Sequence, residues 1–197
     1  GCGQCVSSHG VSREAGLAVV DRGEAIRHSF LRRTGRNSAD VNPTPGNRAG
    51  GITKLDEKSA GNIRKMGTSQ GQGVLTLEQP GPHAGLWVMD QRTHGPDHFV
   101  TSGFAILGAT VGVFSSGRGT PAGCAVMPVL KLTGNAESYL AMRAMFDFDA
   151  SAVVDAATLR AKGHELFRAV LAVASGETTR AEINGNVDFV IPRETRE

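Results

Sequence analysis

Aromatic residues and cysteines are scarce in this sequence of 197 residues, and both shortages exclude classes of protein. Phe, Trp and Tyr make up 5% of the chain, so the stacking surfaces that bind single-stranded nucleic acids are not expected. Three cysteines are an odd number, which argues against a framework of disulfides. Cys2 and Cys5 form a single C-x-x-C pair, which we interpret as part of an ill-packed terminus and not as a metal or redox site.

Long apolar runs and dense basic runs are also missing. No uninterrupted apolar run approaches the roughly 20 residues that cross a bilayer. Residues 1–12 have neither the basic start nor the apolar centre of a signal peptide. The formal net charge is +2, with scattered lysines and arginines. We therefore expect a cytoplasmic protein that binds neither membranes nor nucleic acid.

Glycine, in contrast, is abundant, with 26 residues that often separate short apolar runs. Apolar periodicity predicts helices at 12–33, 53–65, 97–107, 136–145 and 155–174. Short apolar runs bounded by turn residues predict strands at 74–77, 86–89, 111–114 and 126–132. This alternation indicates an α/β fold, with a mainly parallel sheet between flanking helices in a Rossmann-like three-layer arrangement and additional N-terminal helices. We expect an N-terminal helical segment over 1–72 and an α/β domain over 73–197, with the 111–114 strand among the inner strands.

Two loops of the predicted α/β domain are candidates for a binding site, because ligands bind outside the carboxyl ends of strands in open α/β sheets. Residues 115–121 follow one strand and offer hydroxyls, glycine amides and the guanidinium of Arg118. Residues 133–135 follow the strand that carries Lys131. Together they predict a site for an anionic, hydroxyl-rich molecule. The alternative is a tight structural turn with Arg118 on the surface.

The histidines and the standard motifs give weaker evidence of function than the two loops. His94 and His98 lie near Asp90, where they could supply metal ligands or a base, although His98 could equally cap the next helix. The sequence has no G-x-x-x-x-G-K-[ST], no G-x-G-x-x-G after a strand, no H-E-x-x-H and no G-x-S-x-G. Nucleotide binding and hydrolase chemistry are therefore disfavoured.

Four segments together resemble the altronate and galactarate dehydratases. Residues 42–53 (N-P-T-P-G-N-R-A-G-G-I-T) and 57–61 (E-K-S-A-G) are similar to that family's N-P-x-P-G-N-x-x-G-G-[IL]-T and E-K-S-x-G block. Residues 113–121 (V-F-S-S-G-R-G-T-P) resemble V-F-T-T-G-R-G-T-P, and 128–135 (P-V-L-K-L-T-G-N) resemble P-V-I-K-V-T-G-N. The V-A-S-G at 173–176 resembles the family's closing segment. The order and spacing of the four agree with the family.

The resemblance implies an enzyme that dehydrates a sugar acid, such as galactarate or altronate, to a 2-keto-3-deoxy acid. It also implies a divalent metal, commonly iron or manganese, and a homo-oligomer. Full-length members carry a preceding region with a C-G-G-S-D-type motif, which is not recognisable here. We therefore expect the carboxyl-terminal portion of such a lyase, inactive without an upstream domain or partner subunit, with residues 1–72 as the remnant of that upstream domain.

Two departures from the family pattern leave the substrate open. The family's M-D-T-P appears at 89–92 as M-D-Q-R, and its M-D-[FI]-N-A-G appears at 146–151 as F-D-F-D-A-S. Sulfolactate sulfo-lyases belong to the same broad family, so a leaving group other than water is one alternative. A noncatalytic anion-binding or assembly subunit is another.

The resemblance and the chemistry of elimination together suggest roles for individual residues. Arg118 is the candidate for binding a substrate carboxylate, because its planar fork matches two oxygens. Lys58 and Lys131 are candidates for charge stabilisation, and either could be the base if burial lowered its pKa. The predicted substrate-binding residues are Asn47, Gly50, Gly51, Ser115, Ser116, Gly117, Gly119, Thr120 and Asn135. We expect the 45–51 and 115–121 loops to lie within one pocket's width of each other.

Overall fold

A computed structural model describes residues 10–49, 52–54, 57–58, 60–61, 67–77, 79–91 and 97–191. The chain divides into two compact units, residues 1–94 and 95–197. Among the described residues, neighbouring strands pair in parallel, and three helices precede the first strand. The predicted α/β fold with parallel sheets and N-terminal helices is therefore confirmed. No helix in these described ranges is long and apolar enough to cross a membrane.

The first unit begins with a long helix, α1 (Arg13–Thr34), which confirms the helix predicted at 12–33. Ser12 is its N-cap, and the Ser12 hydroxyl accepts a hydrogen bond of 3.1 Å from the Ala15 N–H. The helix ends at Gly35, where φ is +66°, a left-handed conformation that glycine adopts without steric cost. Local sequence signals thus define both ends of α1.

Two short helices and a two-stranded parallel sheet follow in this unit, and residues 57–58 and 60–61 are also helical. The helices are α2 (Ser38–Val41) and α3 (Pro45–Ala49), and the strands are β1 (Gly71–Leu75) and β2 (Leu86–Met89). The prediction at 86–89 matches β2. In the helix predicted from Thr53, the Glu57 carboxylate accepts hydrogen bonds from the Thr53 N–H (2.8 Å) and hydroxyl (2.9 Å). Residues 55 and 56 of that predicted helix lie outside the described residues.

The compact units divide after β2 and not before β1. Strand β1 pairs with β2 and also packs against α1, so both strands belong to the first unit. The division into domains at residue 72 stays a prediction.

The second unit contains a three-stranded parallel sheet with helices on the connecting segments. Its elements are α4 (Asp97–Ile106), β3 (Gly112–Ser115), β4 (Val129–Thr133), α5 (Ala136–Ala141), a 3₁₀ turn (Arg143–Met145), β5 (Phe148–Asp149), α6 (Ala156–Ala174) and α7 (Arg180–Ile183). The helix predicted at 136–145 is interrupted at Met142, where the backbone leaves the helical region. The long helix predicted at 155–174 is confirmed as α6, with Asp155 as its N-cap.

The position of β3 in the sheet corrects one prediction. Within the described residues the strand order is β3-β4-β5, so β3 lies at an edge and β4 in the centre. The prediction that the 111–114 strand is an inner strand was wrong. Strand β5 pairs with β4 on the side away from β3, and β5 was not predicted because it has only two residues. The central position of β4 explains its burial: Val129 and Leu130 are each 1% exposed.

Candidate functional site

The first predicted loop leaves the carboxyl end of β3 and is held against β4. The Ser116 N–H donates to the Leu132 carbonyl (3.0 Å), which continues the pairing of β3 with β4. The Gly119 N–H then donates to the Ser116 hydroxyl oxygen (3.0 Å), where Gly119 has a left-handed φ of +86°. The loop therefore owes its shape to internal hydrogen bonds and to a glycine that tolerates positive φ.

The second predicted loop leaves the carboxyl end of β4 and meets the first. Asn135 is the N-cap of α5, and its side-chain oxygen accepts from the Ser138 N–H (3.0 Å). The Ser138 hydroxyl donates to the Gly117 carbonyl (2.8 Å). The structure thus brings the 115–121 and 133–135 loops together at one edge of the sheet.

Lys131 lies below these loops, in the middle of β4. Its residue exposure is 0%, and its Nζ donates to the Pro121 carbonyl at 3.4 Å, near the upper limit for a hydrogen bond. Burial lowers the pKa of the Lys131 amine, and the negative charge of Asp147 partly opposes that change. A lysine can act as a base only if burial lowers its pKa, and Lys131 has both the burial and the direction of pKa change that this role requires.

The remaining residues of the two loops have different environments. Arg118 is exposed and makes no hydrogen bond or ion pair with other described residues, which suits both ligand binding and the plain surface turn. Ser115, Gly117 and Asn135 are also exposed. Thr120, in contrast, is 7% exposed, and its hydroxyl oxygen accepts from the Ala122 N–H (3.2 Å). The substrate-binding roles of these residues stay predictions.

In the first unit, the predicted residues Lys58 and Asn47 contact each other directly. The Lys58 Nζ donates to the side-chain oxygens of Asn47 (3.0 Å) and Asn42 (3.2 Å). The Thr44 hydroxyl also donates to that Asn47 oxygen (3.1 Å). Lys58 is partly buried and therefore differs from a freely solvated helix lysine.

Two predictions for this region are not tested. Gly50 and Gly51 lie outside the described residues. The 45–51 and 115–121 loops belong to different compact units, and their convergence stays a prediction.

Sequence reasoning assigned no role to two residues that contact the predicted lysines. The Asn42 side chain accepts from the Lys58 amine, and Asp147 hydrogen-bonds the backbone of Lys131 through its carboxylate and its own N–H. Both carried a usable signal, since Asn42 opens the N-P-x-P-G-N segment and Asp147 lies in the segment that resembles M-D-[FI]-N-A-G. Their contacts depend on tertiary structure and could not be inferred from spacing.

Around Asp90 and His98, the described residues show no group of side chains that could hold a metal ion. Asp90, 3% exposed, pairs with Arg22 of α1, whose Nε donates to the Asp90 carboxylate at 2.7 Å. His98 Nδ1 is buried without a hydrogen-bond partner among the described residues, and His94 lies outside them. The described residues contain no cluster of three His, Cys, Asp or Glu side chains that could hold a metal ion. They therefore do not fit a complete site for the expected divalent metal.

Comparison of the whole sequence with known families identifies the class of protein. The chain matches, over residues 1–196, the family described as D-galactarate/altronate dehydratase, C-terminal, and it belongs to that family. The match includes residues 1–41, for which the sequence motifs had given no connection with the family.

Individual relatives are lyases of two kinds. The chain is 32% identical over 185 residues to the (2R)-sulfolactate sulfo-lyase subunit beta of Chromohalobacter salexigens, covering 92% of this chain and 46% of that protein. It is 34% identical to the altronate dehydratase of Escherichia coli (73% of this chain, 28% of that protein) and 33% identical to its galactarate dehydratase (73% and 27%). The chain thus spans less than half the length of these curated relatives.

Proposed function

We propose that this chain contributes to a cytoplasmic, metal-dependent hydro-lyase that dehydrates a galactarate- or altronate-like sugar acid to a 2-keto-3-deoxy acid. The observation that carries the proposal is a buried lysine, Lys131, whose amine contacts the same loop that presents the exposed Arg118. Elimination next to a carboxylate needs both a base and a cation, and these two residues supply them. The active form is a homo-oligomer that includes an upstream region or a partner subunit.

The proposed reaction uses Arg118 and Lys131 in sequence. The Arg118 guanidinium binds the substrate carboxylate through two parallel hydrogen bonds. The neutral Lys131 amine removes the hydrogen next to that carboxylate, and the electron pair of the broken C–H bond forms a C=C bond while the neighbouring hydroxyl leaves. That hydroxyl departs as water after taking up a proton. The resulting enol then becomes the 2-keto acid.

Lys58 has a different proposed role. Two neutral amide oxygens, from Asn42 and Asn47, accept hydrogen bonds from its amine and so fix it in place. An ammonium that already donates to two acceptors has one N–H left for an anionic oxygen. Lys58 is therefore proposed to stabilise charge and not to act as the base.

The divalent metal is proposed to be held by ligands outside the described residues. When bound, such a metal would supply Lewis-acid stabilisation of negative charge on the substrate.

A second candidate function has its own support. The sulfo-lyase subunit matches 92% of this chain, whereas the two dehydratases each match 73%. Release of sulfite in place of water would use the same base and the same carboxylate-binding arginine, because only the leaving group differs. The noncatalytic alternative predicts that anions bind without turnover.

One assay separates these three functions. The chain is joined to the part of the E. coli altronate dehydratase that it does not match, and is supplied with Fe²⁺ or Mn²⁺. Altronate, galactarate and sulfolactate are tested, with release of keto acid and of sulfite measured separately. Keto acid without sulfite supports the dehydratase, and sulfite from sulfolactate supports the sulfo-lyase. Binding without any product refutes both. Lys131→Met should abolish turnover, whereas the control Lys162→Met, at a partly exposed helix lysine, should not.

A further inference from the structure

Asp147 joins three parts of the second unit through one carboxylate and one backbone amide. Its Oδ2 accepts from the Lys131 N–H (2.7 Å), and its Oδ1 accepts from the Arg180 N–H (2.6 Å) at the start of α7. Its own N–H donates to the Lys131 carbonyl (2.8 Å). Lys131 is therefore held by Asp147 on both its N–H and its C=O, and each carboxylate oxygen of Asp147 has a donor.

The residue before Asp147 links it to the Arg118 loop. Phe146 is 3% exposed and packs beside Gly119. A Cβ added at Gly119 would lie 3.3 Å from the Phe146 ring and 2.6 Å from the Met142 methyl group, so the loop backbone approaches these side chains closely. A displacement of Asp147 would therefore be transmitted to Lys131 directly and to the loop through Phe146.

Asp147 also supplies the charge that acts on the buried amine. Among the described residues, its carboxylate is the charged group that opposes the effect of burial on Lys131. The other titratable groups on the elements that pack against β4 are Glu137, Tyr139, Asp149, Arg180 and Glu182. The Asp149 and Glu182 carboxylates accept hydrogen bonds from Ser151 and from Thr179 respectively, and Glu137 is exposed.

We propose that Asp147 is a positioning residue for Lys131, which fixes the backbone of that lysine and provides the counter-charge for its buried amine. It would act on the reaction through Lys131 without touching the substrate, and this role in the reaction rests on the proposed function. The charge of Asp147 determines how much of the amine is protonated at a given pH. Its backbone contacts determine where the amine lies relative to the Arg118 loop.

The test measures the titration of the Lys131 amine in the whole chain, without substrate. Lysine labelled with ¹⁵N is observed by NMR across a pH series, and the Lys131 signal is assigned by its loss in Lys131→Met. Asp147→Asn removes the charge, so the midpoint should fall by on the order of 1 pH unit. The matched control is Asp149→Asn, a carboxylate two residues away in β5, which should move the midpoint by less than about 0.3. Equal midpoints in the two variants would overturn the proposal.

A second variant covers the case in which Asp147→Asn does not fold. Asp147→Glu keeps the charge while it alters the backbone contacts, so its midpoint should stay within about 0.5 pH unit of the unmodified chain. Asp147→Ser, which loses the charge but keeps a hydroxyl that can accept from the Lys131 N–H, should lower the midpoint by on the order of 1 pH unit, and an unchanged midpoint in that variant would refute the assigned counter-charge.

The same variants distinguish this proposal from the proposed function. In the joined protein, Asp147→Asn should lower kcat more than it changes KM and should shift the pH profile of kcat by the amount seen in the NMR titration. A shifted titration in a protein without turnover leaves the role of Asp147 intact and refutes the lyase. Turnover with an unshifted titration supports the lyase and refutes the role of Asp147.

Discussion

Replacement of Lys131 by methionine should make the chain more stable while it removes any catalytic function. The amine is fully buried, and among the described residues its hydrogen-bond acceptor is one carbonyl at 3.4 Å. Methionine fills a similar volume with an unbranched apolar chain and carries no group that must leave water. The change therefore removes a desolvation cost together with a weak hydrogen bond.

The expected magnitude follows from these opposing effects. Exchange of buried ion pairs for apolar side chains of similar volume is often neutral or stabilises proteins by roughly 1–4 kcal/mol. Loss of the Pro121 contact and of the attraction to Asp147 offsets about 1 kcal/mol of that gain. We expect a net gain of about 1 kcal/mol at neutral pH, which corresponds to a rise in Tm of roughly 2–4 °C for a chain of this length.

The effect should depend on pH in a defined direction. Burial lowers the pKa of Lys131 below its usual 10.5, so between the folded-state pKa and 10.5 the unfolded chain binds more protons. The unmodified chain therefore gains stability as pH rises through that window, and the advantage of the methionine variant shrinks there. Urea unfolding at neutral and alkaline pH measures both quantities.

A matched control separates this effect from a general effect of lysine removal. Lys162→Met, in a partly exposed pair with Glu165, should change stability by no more than about 0.5 kcal/mol. A Lys131→Met variant that loses more than about 1 kcal/mol at neutral pH would show that the buried amine stabilises the fold, and the reasoning from desolvation would be wrong.

Three other predictions concern the loops and the extent of the chain. In the joined active protein, Arg118→Lys should fold normally but lose about 2–4 kcal/mol of transition-state stabilisation, because lysine cannot form two parallel hydrogen bonds with a carboxylate. An unchanged kcat/KM together with an unchanged thermal melt would show that Arg118 is not part of the site. The chain by itself should show little or no turnover of galactarate or altronate, since it spans less than half the length of its curated relatives, and robust production of keto acid would contradict this. Gly123→Ala should destabilise the second unit by roughly 1–3 kcal/mol in urea unfolding, because an added Cβ would overlap the Asn186 backbone oxygen. A change below about 0.5 kcal/mol, the scale of a neutral surface substitution, would mean that the backbone moves apart at little cost.

The elements with strong local signals could be predicted from sequence. Helix α1 has a serine N-cap and a glycine at its end, and α6 has an aspartate N-cap and an apolar face, so both were found with nearly correct bounds. Strand β5 and helix α7 are two and four residues long, which is too short for periodicity to be detected. Because β5 was not predicted, β3 was given the wrong position in the sheet.

The candidate site was predictable in its composition but not in its contacts. Family-like segments located Arg118, Lys131 and Lys58, because those residues occur within recognisable motifs. The complete burial of Lys131 could not be predicted, since it depends on the pairing of β4 with strands on both sides. The contact between Asn42 and Lys58 likewise spans 16 residues through a fold that spacing alone does not specify.

The hydrogen bond from the Val190 N–H to the Ser102 hydroxyl has a consequence for the order of events during synthesis. These residues are 88 positions apart, and Ser102 is fully buried. A ribosome releases the chain from its N-terminus, so α4 emerges long before the partner that completes its environment. The second unit therefore cannot reach its final packing until nearly all of the described chain has left the ribosome tunnel, and until then the buried hydroxyl of Ser102 must find its hydrogen-bond partner in water.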